Sequence, residues 1–246
     1  MPVGHGRLAL RERYQLGVSL RGQYHQAILL PNSLKSALVP VFAKIPLRTG
    51  WRGEMRFGFL NDLRYLDKLR YPLMVERFVA LAYGDGAPLP KLLPRPALSI
   101  EADRLPDLLQ RFSLETTRPV LALCPGAEFG PAKRWPESHF AQVAQERLAA
   151  GWKVWLMGSE KDRSVADRII QYVPEAHKNG CINLAGVTQL AEAIDLLSLA
   201  SAVVTNDSGL MHIAAALQRP LVVVYGSTSP GFTPPLSDCV SIESID

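Results

Sequence analysis

Four short segments carry residue types that could do chemistry together. The first is Gly126-Ala127-Glu128-Phe129-Gly130-Pro131-Ala132-Lys133-Arg134-Trp135-Pro136, between an apolar run and a helix start. Backbone N–H groups of such a turn, with the helix dipole behind them, can face an anion, and Lys133 adds a full positive charge. It is not a Walker A loop: the spacing from Gly130 to Lys133 is wrong, and Arg134 stands where Ser or Thr would hold magnesium. A plain solvated turn is the competing reading. The second segment, Thr205-Asn206-Asp207-Ser208-Gly209, precedes LMHIAAAL. Amides of Ser208 and Gly209 can hold a phosphate, while Asp207 accepts hydrogen bonds from sugar hydroxyls or orients Lys133. Capping of the following helix by Asp207 or Ser208 fits as well. His212, one turn on, can reach the same pocket or simply pack.

The third segment, Gly158-Ser159-Glu160, puts a carboxylate where open-sheet nucleotide folds place a ribose-binding acid, although charge complementation at a helix start also explains Glu160. The fourth is the cluster Lys44, Arg48, Arg52 and Arg56, whose forked donors suit phosphate or carboxylate unless it is a solvated face. A lysine, an acid and two helix starts make a pocket for a diphosphate nucleoside. No G-x-G-x-x-G, H-E-x-x-H or G-x-S-x-G motif competes.

Short β-branched runs alternating with amphipathic stretches must position these residues. Strands are expected at 119–124, 153–158, 181–186, 202–207 and 221–226, with helices between them, which is the pattern of βαβ units around a parallel sheet. The first intervening helix has Pro136 at its start, Gly151 past its end, and Phe140, Val143, Ala144 and Leu148 on one face. Parallel order places all the strand-to-helix loops on one sheet edge, where open α/β sheets bind ligands. Before residue 115 the pattern predicts a helix from Leu8 to Leu20, a strand from Ala27 to Leu30, a helix capped by Ser33 and broken near Pro40, and a helix from Pro72 to Tyr83. The segment 84–96 reads as a Pro- and Gly-rich loop. A linker near 113–118 divides a domain of residues 1–115 from one of residues 116–246.

A chain of 246 residues, 48% apolar and 20% charged, has ample length for a buried core. The balance of 27 basic against 23 acidic residues is +4, too small to suggest nucleic-acid binding but compatible with an anionic ligand. Cys124, Cys181 and Cys239 are scattered, odd in number and without C-x-x-C spacing, which supports neither a disulfide framework nor a zinc site and suits a reducing cytoplasm. No apolar run approaches the ~18 residues that span a bilayer, and the N-terminus has no signal-peptide stretch.

Three motifs, in order, carry a resemblance: PNSLKSALVPVFAKIPLRTGWRGEMR, CPGAEFGPAKRWP and VTNDSGLMHIAAALQRPLVVVYGSTSPGFTPP. They are similar to the heptosyltransferases of glycosyltransferase family 9. The resemblance implies an α/β, GT-B-like architecture with two Rossmann-like domains, the donor ADP-heptose held mainly by the C-terminal one. It implies an inverting transfer of heptose to the lipopolysaccharide inner core, at the inner face of the cytoplasmic membrane, with the nucleotide sugar as substrate and no cofactor. Carried over by position, Lys133 neutralises the departing diphosphate, with Gly126 in the same loop. Glu160 holds the ribose, Val187 lies against adenine, and Asp207, Ser208 and Gly209 line the sugar and diphosphate with His212 beside them. The family's opening strand–glycine–helix unit, with an aspartate resembling a general base, has no counterpart before Ala27, and a closing helical tail has none before Asp246. The chain therefore reads as a fragment with an incomplete N-terminal domain. A catalytically silent ADP-sugar-binding domain and another GT-B enzyme, such as an epimerase, are the competing readings.

Overall fold

In the computed structural model, residues 8–127 and 134–244 are described. They form two compact units, 8–93 with 231–233, and 94–230 with 234–244.

In the first unit, β1 (Gln26–Leu29), β2 (Leu47–Trp51) and β3 (Asp62–Arg64) make a parallel sheet in that order. Helix α1 (Leu10–Ser19) crosses α2 (Leu34–Phe42) closely because Gly17 lacks a side chain: a Cβ there would meet the Phe42 Cβ at 2.5 Å. Helix α2 does not break at Pro40. Pro40 falls in its last turn, where the one lost backbone bond is tolerated, and the helix runs on to Phe42. Helix α3 (Met74–Ala80) follows, and Arg77 O accepts a hydrogen bond from Trp51 Nε1 at 2.9 Å. Strands β2 and β3 were hidden in the sequence by glycine and charge.

The second unit is a six-stranded parallel sheet of β4 (Val120–Cys124), β5 (Lys153–Leu156), β6 (Cys181–Asn183), β7 (Ala202–Asn206), β8 (Leu221–Tyr225) and β9 (Val240–Ser244). Its order is β6-β5-β4-β7-β8-β9. Numbered within the unit this is 3-2-1-4-5-6, the dinucleotide-fold arrangement in which strand order reverses between the first and fourth strands. All five strands expected after residue 115 form, each somewhat shorter than its apolar run. Strand β9, with its alternating polar residues, was not foreseen.

Alternation along the strands divides the core by face. Leu121, Leu123, Val154 and Leu156 pack on α5 (Glu137–Ala149) and α6 (Arg163–Tyr172) through Phe140, Ala144, Leu148, Val165 and Ile169. Ala122, Cys124, Trp155, Val203 and Val223 pack on α7 (Leu190–Leu197) and α8 (Gly209–Ala216) through Leu196, Leu197, Met211 and Ala214. Helix α4 (Leu105–Arg111) joins this second face through Leu108, with Arg104 against buried Asp195 at 3.2 Å and Arg111 against Glu192 at 2.6 Å. The boundary between units is thus at 93/94 rather than 115, because α4, which precedes residue 115, buries its apolar face in the second unit.

Phe140 is fully buried against Trp135, ring centroids 5.0 Å apart. Phe140→Ala is expected to remove about 3–5 kcal/mol from the stability of the second unit, measured by urea titration of tryptophan fluorescence.

Candidate functional site

Because β4 and β7 are parallel neighbours whose helices leave to opposite faces, the chain segments at their carboxyl ends open a crevice. Register sets Cys124 beside Thr205, so the Gly126–Trp135 loop and the Asp207-Ser208-Gly209 turn start side by side. The ends of β4 and β7 that lead into these two segments therefore share one edge of the sheet. Lys133 lies outside the described residues, as does 128–132 of the same loop.

Asn206 ends β7 with its side chain wholly buried. Its Nδ2 donates to Pro125 O at 2.8 Å, and its Oδ1 accepts the Trp135 N–H at 3.0 Å. Trp135 is further held on α5, stacked on His139 with centroids 5.3 Å apart and edge-on to Phe140. Thr205 Oγ1 lies 3.2 Å from Ser208 Oγ. Ser208 thus occupies the N-cap position of α8 without a side-chain capping bond, so the capping role is not what its hydroxyl performs.

Asp207 is half-buried at the start of α8, where two neighbours register its charge. His212 is exposed as a residue, yet enough of its ring is shielded for burial to lower its pKa, with Asp207 pulling it upward. Tyr225, buried at the end of β8, has its hydroxyl pushed up to about 12, first by burial and then by Asp207. Cys124 is likewise pushed up to about 12 by burial, and then by Asp162, so this thiol stays neutral. At Cys181 burial alone does the same.

The glycines of the edge make room for carboxylates. A Cβ at Gly126 would come within 2.6 Å of the Asp162 carboxyl carbon, and one at Gly158 within 2.8 Å of the Asp162 Cβ. Asp162 is buried, and its Oδ2 accepts both Ser159 N at 2.9 Å and Ser159 Oγ at 2.7 Å. Its Oδ1 lies 3.9 Å from an Arg134 terminal nitrogen, and the buried Arg134 Nε has no hydrogen-bond partner among the described residues. Asp162 therefore caps the turn after β5, and Glu160 also lies in the first turn of that helical segment, where its charge complements the helix start. Glu160 is exposed and rests against Gly186, whose φ of +75° suits glycine alone. Gly186 N donates to Gly158 O at 3.1 Å, which ties the Val187 loop to the end of β5, and Val187 is 41% exposed. Gly126, Glu160 and Val187 lie on the β4–β5–β6 side of the edge, and Asp207, Ser208, Gly209 and His212 on the β7 side. A cavity of about 350 Å³ lies beside the crevice, between Pro125, Trp135 and α6, and not over the start of α8.

The arginine cluster of the first unit is different from the expectation. Arg56 is fully buried and donates to Pro31 O at 2.8 Å, Asn32 Oδ1 at 3.1 Å and Trp51 O. Desolvation lowers its pKa, with Glu54 opposing. Arg48 donates to Phe59 O at 2.7 Å and Ile45 O at 2.5 Å. Both guanidinium groups satisfy backbone carbonyls rather than an anion. Arg52 sits over the rings of Phe57 and Tyr65 at 5.6 and 5.2 Å, and Lys44 is exposed.

Sequence reasoning missed Asn206 and Asp162 as parts of the site. The available signals were an asparagine closing a buried apolar strand and an acid three residues after a strand-ending serine.

The model of glycosyltransferase family 9 (heptosyltransferase) matches residues 13–245. Lipopolysaccharide heptosyltransferase 2 of Escherichia coli strain K12 is 53% identical over 96% of this chain and 70% of its own length. Lipooligosaccharide heptosyltransferase 2 of Haemophilus influenzae is 53% identical over 98% of this chain and 72% of its own. The solved structure of E. coli ADP-heptose lps heptosyltransferase II superposes with a TM-score of 0.88 at 51% identity, over 95% of this chain and 72% of that one. With two parallel α/β units of the GT-B type and this match along its length, the chain belongs to glycosyltransferase family 9, the heptosyltransferases.

Proposed function

We propose that this chain is the heptosyltransferase that moves heptose from ADP-heptose to the lipopolysaccharide inner core, with the second unit holding the donor. The observation that carries this reading is the 53% identity along 96% of the chain to lipopolysaccharide heptosyltransferase 2. The crevice between β4 and β7 suits the nucleotide part of such a donor.

In this reading the diphosphate lies over the start of α8, where the amides of Ser208 and Gly209 and the helix dipole face it. Ser208 leaves that helix start without a side-chain cap, which favours an external acceptor for its N–H groups. Lys133 and the Gly126 amide face the diphosphate from the opposite loop, and His212 stands one turn up α8. Glu160, exposed against Gly186, takes the ribose hydroxyls, Val187 covers adenine, and Asp207 faces the sugar.

The acceptor hydroxyl oxygen bonds to the anomeric carbon while that carbon's bond to the phosphate oxygen breaks, inverting its configuration. ADP keeps the electron pair, and the hydroxyl proton passes to a general base. Positive charge grows at the sugar and negative charge on the departing diphosphate. Fixed cations and N–H dipoles on the leaving side act on the charge that develops there, so they lower the barrier rather than only tightening binding. The donor is a substrate, and no cofactor enters this reading. No helix among the described residues is long and apolar enough to cross a membrane. The enzyme meets its lipid-anchored acceptor as a peripheral protein at the inner face of the cytoplasmic membrane.

Calorimetry with ADP, paired with transfer to heptose-deficient lipopolysaccharide, tests the assignment. Lys133→Ala is expected to weaken ADP binding and to slow transfer by about 10²–10³-fold. ADP binding without any transfer would instead select the silent binding domain.

His212 supplies a pH signature. Shielding lowers its pKa in the free protein, and a diphosphate beside it raises that pKa, so binding takes up a proton. Protonation of ADP itself opposes this effect, so the readout is the ratio of wild-type to His212→Gln affinity for ADP, which should rise as pH falls from about 7.5 to 5.5.

A further inference from the structure

We propose that two neighbouring loops of the first unit, 52–57 and 65–69, form a docking surface for an anionic lipid bilayer. The inference rests on the proposed transfer to a lipid-anchored acceptor, and it names the part of the chain that meets the lipid.

Parallel pairing of Trp51 with Arg64 ends β2 and β3 side by side, and Arg52 N donates to Arg64 O at 2.6 Å, so both loops leave the same sheet edge together. The Arg52 guanidinium then lies over two rings at once, 5.6 Å from the Phe57 centroid and 5.2 Å from that of Tyr65. Single exposed apolar residues are ordinary on a protein surface, but a cluster of large ones marks an interaction site. Here Phe57 is 56% exposed, Tyr65 67%, Met55 80% and Leu69 95%.

Both loops are held from within while these side chains face out. Arg56, between Met55 and Phe57 in the chain, is fully buried and donates to Pro31 O and Asn32 Oδ1. Asp67 Oδ1 accepts Leu69 N at 2.9 Å and Arg70 N at 3.1 Å, which fixes the turn that presents Leu69. Apolar tips on fixed backbones need little further ordering when they enter an apolar phase, so less of the burial gain is lost to entropy. Glu54 Oε2 accepts Leu34 N at 2.7 Å. The two acids of these loops thus serve backbone N–H groups, whereas Arg52 and Lys68 are exposed cations. Cations beside apolar side chains match a bilayer with a negative surface, where each Lys or Arg strengthens binding about fivefold. Aliphatic Met55 and Leu69 favour such a surface over a saccharide, which would stack on the faces of Phe57 and Tyr65 and leave these two in water.

Flotation of the chain with vesicles tests this, using phosphatidylcholine alone or with about 30% phosphatidylglycerol. Wild type is expected to bind the mixed vesicles, and less tightly at high salt. Met55→Gln combined with Leu69→Gln should weaken that binding about tenfold. Arg52→Gln should cut the preference for anionic vesicles about fivefold. Leu190→Gln, at an exposed leucine of α7 in the second unit, should change neither. Circular dichroism and ADP calorimetry report folding, and Leu69→Gln alone replaces the double variant if that misfolds. Absence of vesicle binding, equal losses in Leu190→Gln, or full binding by the Met55 and Leu69 variants would overturn the proposal. So would binding of a delipidated inner-core saccharide that Tyr65→Ala abolishes while vesicle binding survives, since the patch would then be a saccharide platform. Vesicle binding without ADP binding would keep this surface and sink the donor assignment, and ADP binding without vesicle binding would do the reverse.

Discussion

The reversal of strand order between β4 and β7 is the constraint from which the site follows. Right-handed crossovers send α5 to one face of the sheet and α8 to the other, so the ends of these neighbouring strands cannot be roofed by a shared helix. The chain segments that follow these two strands start side by side, and a buried side chain at the end of β7 ties the residue after β4 to one just before α5. Asn206 does this with two hydrogen bonds to backbone, in a setting where leaving either partner unsatisfied costs more than making the bond gains.

Carboxylates and glycines share the rest of the edge in a consistent way. Gly126 and Gly158 lack side chains where Asp162 needs volume, and Gly186 lacks one where Glu160 lies. The two acids then do different work. Asp162 is buried and spends one oxygen on Ser159, which holds the turn after β5. Glu160 is exposed, on a backbone that the Asp162 turn has already fixed. Preorganisation of this kind puts the cost of shaping the pocket into folding rather than into binding.

The sheet of the second unit was legible because apolar runs between turn residues report burial on both faces, and the helices because Pro136 and Gly151 punctuate α5. The segments after β5 and β7 were legible as loops because Gly, Ser and Asp follow those apolar runs. Strands β2, β3 and β9 were not legible, since LRTGW, DLR and VSIES spread polar residues through short edge or near-edge segments. Asn206 and Asp162 were illegible as site residues for another reason: each acts on backbone from a distant part of the chain, and no local spacing encodes that. The division at 93/94 was not legible because α4 is short, and the unit it joins is revealed by the packing of Leu108 and Leu109 and by the ion pairs of Arg104 and Arg111.

The arginines show why charge clustering in a sequence is a weak sign of a ligand site. Arg56 is buried among the carbonyls of Pro31 and Trp51, and Arg48 serves Phe59 and Ile45. A guanidinium has five donors in a rigid fork and no acceptor, so a loop rich in outward carbonyls can use it as a bracket as readily as an anion can. An amide can make such a bracket without a charge: the buried carboxamide of Asn206 has one donor end and one acceptor end, and it spends them on Pro125 O and Trp135 N.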